Sequence, residues 1–217
     1  MNPPSLRTYL QPLPLIAVLR GITPAEIEPV GDALADNGFR ILEVPLNSPD
    51  ALDSIGRLAR RFGERCLTGA GTVLEVAEVA RVAAAGGMLI VMPHSDVAIV
   101  REAKRRGLIC VPGVATPTEA FAALGAGADG LKMFPAEQLS PAALKAWRAV
   151  LPRDVLVFPV GGIRPDNMAS YWAVGADGFG TGSNLYTPGA PVDKIRTVAA
   201  SYASAFAALP RHSVSRP

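Results

Sequence analysis

The sequence contains little cysteine and little histidine, and it has no strong excess of either charge. Of its 217 residues only two are cysteine and two are histidine, and the formal net charge at pH 7 is +2. Cys66 and Cys110 lie in apolar runs without metal-ligand spacing, so we expect buried thiols in a reducing compartment. A charge so close to zero gives no reason to expect nucleic acid or a membrane as a partner.

Long hydrophobic runs are also missing. The first 14 residues contain no apolar segment typical of an export signal, and no stretch of membrane-spanning length is free of Gly, Pro and charge. We therefore expect a cytoplasmic protein. The chain is long enough for one sizeable core and falls within the size range of an α/β barrel domain.

Short apolar runs alternate along the chain with longer amphipathic, Ala-rich runs. The apolar runs lack the alternation of half-exposed strands, which predicts strands buried on both faces and hence a parallel sheet. The predicted strands are 15–19, 41–44, 66–69, 89–92, 109–111, 130–133, 155–160 and 178–180. The predicted helices, several with start and stop signals, are 24–37, 49–62, 75–85, 95–106, 116–124, 140–150, 165–174 and 192–208.

Eight strand–helix units without a linker predict one α/β domain over residues 1–217. The count favours a (β/α)8 TIM barrel over an open doubly wound sheet. A short leading helix within residues 1–12 would cover the barrel bottom, and a polar, flexible tail would occupy 210–217. Chemistry in such barrels gathers at the C-terminal ends of the strands, so polar side chains there are the candidate site residues.

Lys132 lies in the apolar run 128–135, at the end of a predicted buried strand. Burial lowers the pKa of a lysine, and a neutral amine can form a Schiff base with a carbonyl. The alternative is a structural lysine that extends from the strand end to water. The other lysines, Lys104, Lys145 and Lys194, lie in polar-faced helical segments, so Lys132 is the candidate nucleophile.

Glu43 is a carboxylate inside the apolar run 41–46. It is either a structural partner of Arg20 or Lys132, or a general acid/base for Schiff-base chemistry. Arg20 and Thr72, which follow the first and third predicted strands, are candidates to hold a substrate carboxylate. Taken alone, Arg20 is equally well interpreted as a charge on the rim.

Two glycine-containing segments, Gly161-Gly162 and Gly182-Ser183, follow the seventh and eighth predicted strands. Loops at these positions commonly bind phosphate through backbone N–H groups, since glycine lets the backbone approach the oxyanion. Ser183 adds a hydroxyl, so the two loops together predict a phosphate site.

His94 is interpreted as a loop residue. The other histidine, His212, lies in the tail, and no second ligand accompanies His94 in the sequence. We therefore expect no metal site.

Six ordered segments resemble one enzyme family. They are 19–22, 43–49, 69–74, 131–135, 160–163 and 180–183. Over about residues 13–185 the sequence is similar to the 2-keto-3-deoxy-6-phosphogluconate/6-phosphogalactonate aldolases. The resemblance implies a class I aldolase without metal or cofactor, often a homotrimer, that cleaves a 2-keto-3-deoxy-6-phospho sugar acid to pyruvate and glyceraldehyde 3-phosphate.

The resemblance also implies roles for individual residues. Lys132 would form the Schiff base with the pyruvyl carbonyl, and Glu43 would be the acid/base. The substrate would be held by Arg20 and Thr72, and its phosphate by Gly161, Gly162, Gly182 and Ser183.

Asn47 and Val160 bear on which epimer is the substrate. Gluconate-type relatives carry Arg and Thr at these positions, whereas Asn and Val resemble the galactonate type. A hydroxyl lost beside the sugar can change epimer preference by roughly 1–3 kcal/mol, so the galactonate epimer is favoured. Met92 and His94 depart from the family pattern, where relatives carry small or polar residues.

Three alternatives stay open at this point. The first is a phosphosugar epimerase or isomerase that uses Glu43 and Lys132 without covalent chemistry. The second is a gluconate-type or dual-epimer aldolase. The third is a barrel that only binds a phosphorylated metabolite.

Overall fold

The computed structural model describes residues 5–210, an α/β fold in which parallel strands alternate with eight α-helices. Its strands are β1 (Leu13–Val18), β2 (Phe39–Pro45), β3 (Leu67–Gly71), β4 (Leu89–Val91), β5 (Ile109–Val111), β6 (Gly113–Val114), β7 (Leu131–Met133), β8 (Val157–Pro159) and β9 (Phe179–Thr181). Its helices are α1 (Ile27–Asp36), α2 (Ala51–Phe62), α3 (Val76–Ala84), α4 (Val97–Arg105), α5 (Pro117–Gly125), α6 (Pro141–Arg148), α7 (Met168–Trp172) and α8 (Val192–Ala207). Within these residues no helix is long and apolar enough to cross a membrane.

The strands pair in parallel, as the apolar runs predicted, in two sheets. The larger sheet has the order β5-β4-β3-β2-β1-β9 and forms a half-barrel, and the smaller has the order β6-β7-β8. One isolated parallel bridge, between Val160 and Gly180, links the end of β8 to β9. The described part of the chain has nine strands where the sequence predicted eight, because Gly113–Val114, just after Pro112, forms an additional short strand, β6. Proline has no N–H to donate to a strand ladder.

Local hydrogen bonds explain where several helices begin. Helix α5 starts after Thr116, whose hydroxyl accepts from the Glu119 N–H while the Glu119 carboxylate accepts from the Thr116 N–H, so the prediction was correct there. Helix α1 starts at Ile27 rather than at residue 24, because the Glu26 carboxylate binds the Thr23 N–H and hydroxyl in a preceding turn. The predicted leading helix is a 3-10 helix, Leu6–Leu10, and the predicted tail beyond Pro210 lies outside the described residues.

Two apolar clusters form the core. The larger lies between strands and helices, and includes fully buried side chains such as Leu42 of β2 and Ile55 of α2. The smaller cluster is formed by side chains from six strands and from the 3-10 helix Leu6–Leu10. Its members include Leu10, Ile16, Ile41, Leu67, Val91, Val111, Phe158 and Val160. Residues two positions apart on a strand point to the same side, so Glu43 lies on the same side of β2 as Ile41.

Candidate active site

The predicted site residues all lie at the C-terminal ends of parallel strands. Parallel strands end at the same edge of a sheet, so their terminal side chains converge. Glu43 belongs to β2 and Lys132 to β7, whereas the others follow strand ends: Arg20 after β1, Asn47 after β2, Thr72 after β3, Val160, Gly161 and Gly162 after β8, and Gly182 and Ser183 after β9.

Lys132 is the middle residue of the short strand β7 and is buried, with 6% of its surface exposed. Its neighbours in register are Gly113 of β6 and Phe158 of β8. Its Nζ lies 4.9 Å from the centre of the Phe134 ring. This burial argues against the alternative in which the amine extends into water.

Glu43 is more deeply buried, with 1% of its surface exposed. Within residues 5–210 it forms no ion pair within 4.0 Å, and its Oε2 has no hydrogen-bond partner. The structure therefore does not make Glu43 a salt-bridge partner of Arg20 or Lys132. A buried carboxyl oxygen without a partner in the protein is costly, so a bound water or a group of a bound ligand is expected to pair with it.

Burial shifts the pKa of each group in the direction that favours its uncharged form. It lowers the pKa of Lys132, an effect that Arg20 reinforces and Glu43 opposes. Burial also raises the pKa of Glu43, although the positive charges of Lys132 and Arg20 lower it in part. Both shifts favour the uncharged form of the group, a neutral amine for Lys132 and a carboxylic acid for Glu43.

Arg20 is fixed by two side chains from neighbouring strand ends. Its Nη1 donates to Asn47 Oδ1 at 2.7 Å and its Nη2 to Thr72 Oγ1 at 3.2 Å. Thr72 has a φ of 54°, a left-handed conformation unusual for threonine. The contact between Asn47 and Arg20 was not predicted from the sequence, where Asn47 was singled out only for epimer preference.

The two glycine segments are accessible, since Gly161, Gly162 and Gly182 are half-buried and Ser183 is exposed. Gly161 and Gly162 have φ values of 106° and 65°, which favour glycine. The Asn167 side chain donates to the Gly162 carbonyl at 2.9 Å and holds this turn.

Glu137 was missed by the sequence analysis. Its side chain lies against both glycines of the turn after β8: a Cβ on Gly162 would lie 2.7 Å from Glu137 Cγ, and a Cβ on Gly161 would overlap its carboxylate. Glu137 follows β7 in the loop beyond Phe134, and only the fold brings it to Gly161. No sequence signal marked it.

Met92 and His94 lie at the end of β4. Met92 is fully buried, whereas His94 is exposed and its carbonyl accepts a hydrogen bond from the Gly113 N–H at 3.1 Å. Over residues 5–210, no group of three or more His, Cys, Asp or Glu side chains has the arrangement of a metal site.

Fold and site together define a parallel α/β protein with a buried lysine and a buried carboxyl group at the carboxyl edge of its strands. The family model for KDPG and KHG aldolase matches residues 6–197, and the chain belongs to this family.

Relatives and solved structures of this family are similar to the chain over most of its length. It is 47% identical to a probable 2-dehydro-3-deoxy-6-phosphogalactonate aldolase of Rhizobium meliloti, over 90% of this chain and 92% of the relative. It is 45% identical to the 2-dehydro-3-deoxy-6-phosphogalactonate aldolase of Escherichia coli, over 89% of this chain and 95% of the relative. A solved structure described as native KDPGal aligns with a TM-score of 0.89 and 44% identity, covering 91% of this chain and 96% of that one.

A more distant solved structure contains a reaction intermediate. It is a KDPG aldolase from Legionella pneumophila with pyruvate captured as a covalent carbinolamine, at 28% identity and a TM-score of 0.72, covering 88% of this chain and 91% of that one.

Proposed function

We propose that this chain is a class I aldolase that cleaves 2-dehydro-3-deoxy-6-phospho-D-galactonate to pyruvate and D-glyceraldehyde 3-phosphate. The observation that carries the proposal is the burial of both Lys132 and Glu43 near the carboxyl ends of their strands, since burial lowers the pKa of the amine and raises that of the acid, and each charge influences the other. The names of the two relatives, at 47% and 45% identity, support the same reaction.

The two groups suffice for the proton transfers of the reaction. The neutral Nζ of Lys132 attacks C2 of the substrate, and protonated Glu43 gives its proton to the resulting hydroxyl, which leaves as water. The Glu43 carboxylate then accepts the proton of the C4 hydroxyl while the C3–C4 bond breaks. The bond electrons move to the iminium and form an enamine, and the aldehyde departs. Glu43 returns its proton to C3, and water then attacks the iminium. The Glu43 carboxylate accepts the proton released in this hydrolysis, which gives pyruvate and regenerates neutral Lys132 and protonated Glu43.

Contacts remote from the reacting carbons would hold the substrate in place. Arg20, oriented by Asn47 and Thr72, is proposed to bind the substrate carboxylate with its remaining N–H donors. Gly161, Gly162, Gly182 and Ser183 are proposed to bind the phosphate. Binding energy from these groups keeps C2 within reach of Lys132.

Val160 and Asn47 are proposed to set the epimer preference. Val160 offers no hydrogen bond to a sugar hydroxyl, and Asn47 already accepts one from Arg20. If the gluconate epimer is also cleaved, the same site acts on both epimers, and the preference is the ratio of their kcat/KM values.

The architecture is proposed to be a single closed (β/α)8 barrel. The bridge between Val160 and Gly180 and the apolar cluster that draws on six strands support closure. We further propose a cytoplasmic homotrimer. The exposed apolar side chains of Leu74 and Val76 are surface that such an assembly can bury.

A coupled assay of pyruvate release on both epimeric phosphates tests the proposal. We expect release from both wild-type protein and an exposed-lysine control, Lys145→Met, with the galactonate epimer preferred, and none from Lys132→Met. Release that persists in Lys132→Met would refute covalent chemistry. Binding of the phosphorylated compounds without any pyruvate would favour a barrel that only binds its ligand.

A further inference from the structure

The hydroxyl group of Tyr202 connects the residues that adjoin the two glycine segments. Tyr202 belongs to α8 in the outer layer of helices, yet its side chain is fully buried. Its Oη accepts a hydrogen bond from Thr181 Oγ1 at 2.8 Å and donates one to the Ile163 carbonyl at 2.7 Å. Each hydroxyl in this chain of bonds therefore donates once.

The two partners of Tyr202 adjoin the glycine segments directly. Thr181 is the last residue of β9 and precedes Gly182, whereas Ile163 follows Gly162. Asn184 Nδ2 also donates to the Ile163 carbonyl, at 3.2 Å. Hydrogen bonds from Tyr202 and Asn184 thus meet on one carbonyl between the two turns.

This link is needed because β8 and β9 share little backbone pairing. Within residues 5–210, they are joined by the isolated bridge between Val160 and Gly180 and by hydrogen bonds between Val157 and Asp177, just before β9, rather than by a continuous ladder. Separate strands with so few shared hydrogen bonds can shift relative to each other, and a phosphate bound by N–H groups from both needs a fixed spacing.

We propose that Tyr202 is a positioning residue that holds the two glycine turns at the spacing needed to bind one phosphate group. The inference rests on the proposed function, because it concerns the phosphate of the proposed substrate. Burial raises the pKa of Tyr202, so the hydroxyl keeps its proton and its donor role at neutral pH.

The test compares Tyr202→Phe with Tyr9→Phe. Tyr9 is also buried, and its hydroxyl makes no hydrogen bond among the described residues. For each protein, kcat/KM is measured on the phosphorylated substrate and on the same sugar acid without phosphate. Inhibition by inorganic phosphate is measured as well.

We expect Tyr202→Phe to lower kcat/KM for the phosphorylated substrate about tenfold, mainly through KM, and to weaken phosphate inhibition similarly. Activity on the unphosphorylated sugar acid stays at the wild-type level, and Tyr9→Phe changes neither. Thr181→Val should produce part of the same loss, and the double variant should lose less than the sum of the two free energies.

An unchanged ratio of the two kcat/KM values in both Tyr202→Phe and Thr181→Val would overturn the inference, even if both variants are less stable. Equal losses on both substrates would also overturn it, since they indicate a general structural role. A wild-type protein without preference for the phosphorylated substrate would instead contradict the proposed phosphate site itself, and the inference with it.

Discussion

The carboxyl group of Glu43 fills the space in which Gly71 would carry a side chain. A Cβ atom at residue 71 would lie 2.7 Å from Glu43 Oε1 and 2.9 Å from its Cδ. The two residues belong to neighbouring strands, β2 and β3, and Gly71 pairs with Pro45 two positions beyond Glu43. The missing side chain of Gly71 therefore leaves room for the buried acid.

Gly71→Ala should displace Glu43 and impair catalysis. Because misplacement of a reacting group by about 1 Å can cost roughly 100-fold in rate, we expect kcat/KM to fall by about that factor. Steady-state kinetics check this, with Gly125→Ala as the control, since a Cβ at Gly125 meets nothing within 4 Å. Equal activity of the two variants would show that the carboxyl group does not need this space.

Glu43→Gln should stabilise the protein increasingly as pH rises from 4.5 towards neutrality. The pKa of Glu43 is raised above 4.5 in the folded chain, so above pH 4.5 the folded state binds more protons than the unfolded state. Stability then falls as pH rises through this window, and glutamine removes the effect. Melting temperatures of wild type and variant across this range measure it.

Glu102→Gln is the matched control for this titration. Hydrogen bonds from Arg105 and Arg106 lower the pKa of the half-buried Glu102 to about 2, so its stabilising contribution is lost only as pH falls towards that value. Its melting-temperature difference from wild type should stay constant above pH 4.5. If the Glu43→Gln difference is equally constant, Glu43 does not titrate at a raised pKa.

Val160→Thr should shift epimer preference towards the gluconate-type substrate. The change keeps the shape of a side chain that packs against Gly180 and adds a hydroxyl beside the proposed sugar site. We expect the galactonate-to-gluconate ratio of kcat/KM to fall about tenfold or more. Assays on both pure epimers measure the ratio, and the exposed Val150 provides the control, Val150→Thr. A ratio that both variants leave intact would remove Val160 from the specificity determinants.

Glu137→Gln should tighten inhibition by inorganic phosphate. The carboxylate lies against Gly161 and Gly162, so its negative charge repels an anion bound there. For an exposed charge we expect the inhibition constant to fall about two- to fivefold, with a smaller effect at high salt. Glu64→Gln, which removes an exposed carboxylate from the 3-10 helix Gly63–Arg65, should have no effect. Weaker inhibition in Glu137→Gln would contradict a phosphate at the glycine turn.

The sequence predicted those features that local chemistry determines. Continuous apolar runs identified parallel strands, and the helix predicted over 116–124 corresponds to α5 (Pro117–Gly125). Lys132 and Glu43 were recognisable because an ionisable group in an apolar run is exceptional.

Contacts between distant segments could not be predicted in this way. Asn47 accepts a hydrogen bond from Arg20, which lies 27 positions away in the sequence. Tyr202 donates one to the carbonyl of Ile163, which lies 39 positions away. No residue pattern encodes which loops the closing strands bring together. Strand β6 was missed because it has only two residues.

Trapping of the covalent intermediate tests the central claim most directly. Wild-type protein is incubated with pyruvate and borohydride, beside Lys132→Met and Lys145→Met, and its peptides are analysed by mass spectrometry. The account predicts one reduced pyruvate adduct per chain, on the peptide that contains Lys132, in wild type and Lys145→Met but not in Lys132→Met. An unmodified Lys132 peptide, or an adduct on another lysine, would contradict it.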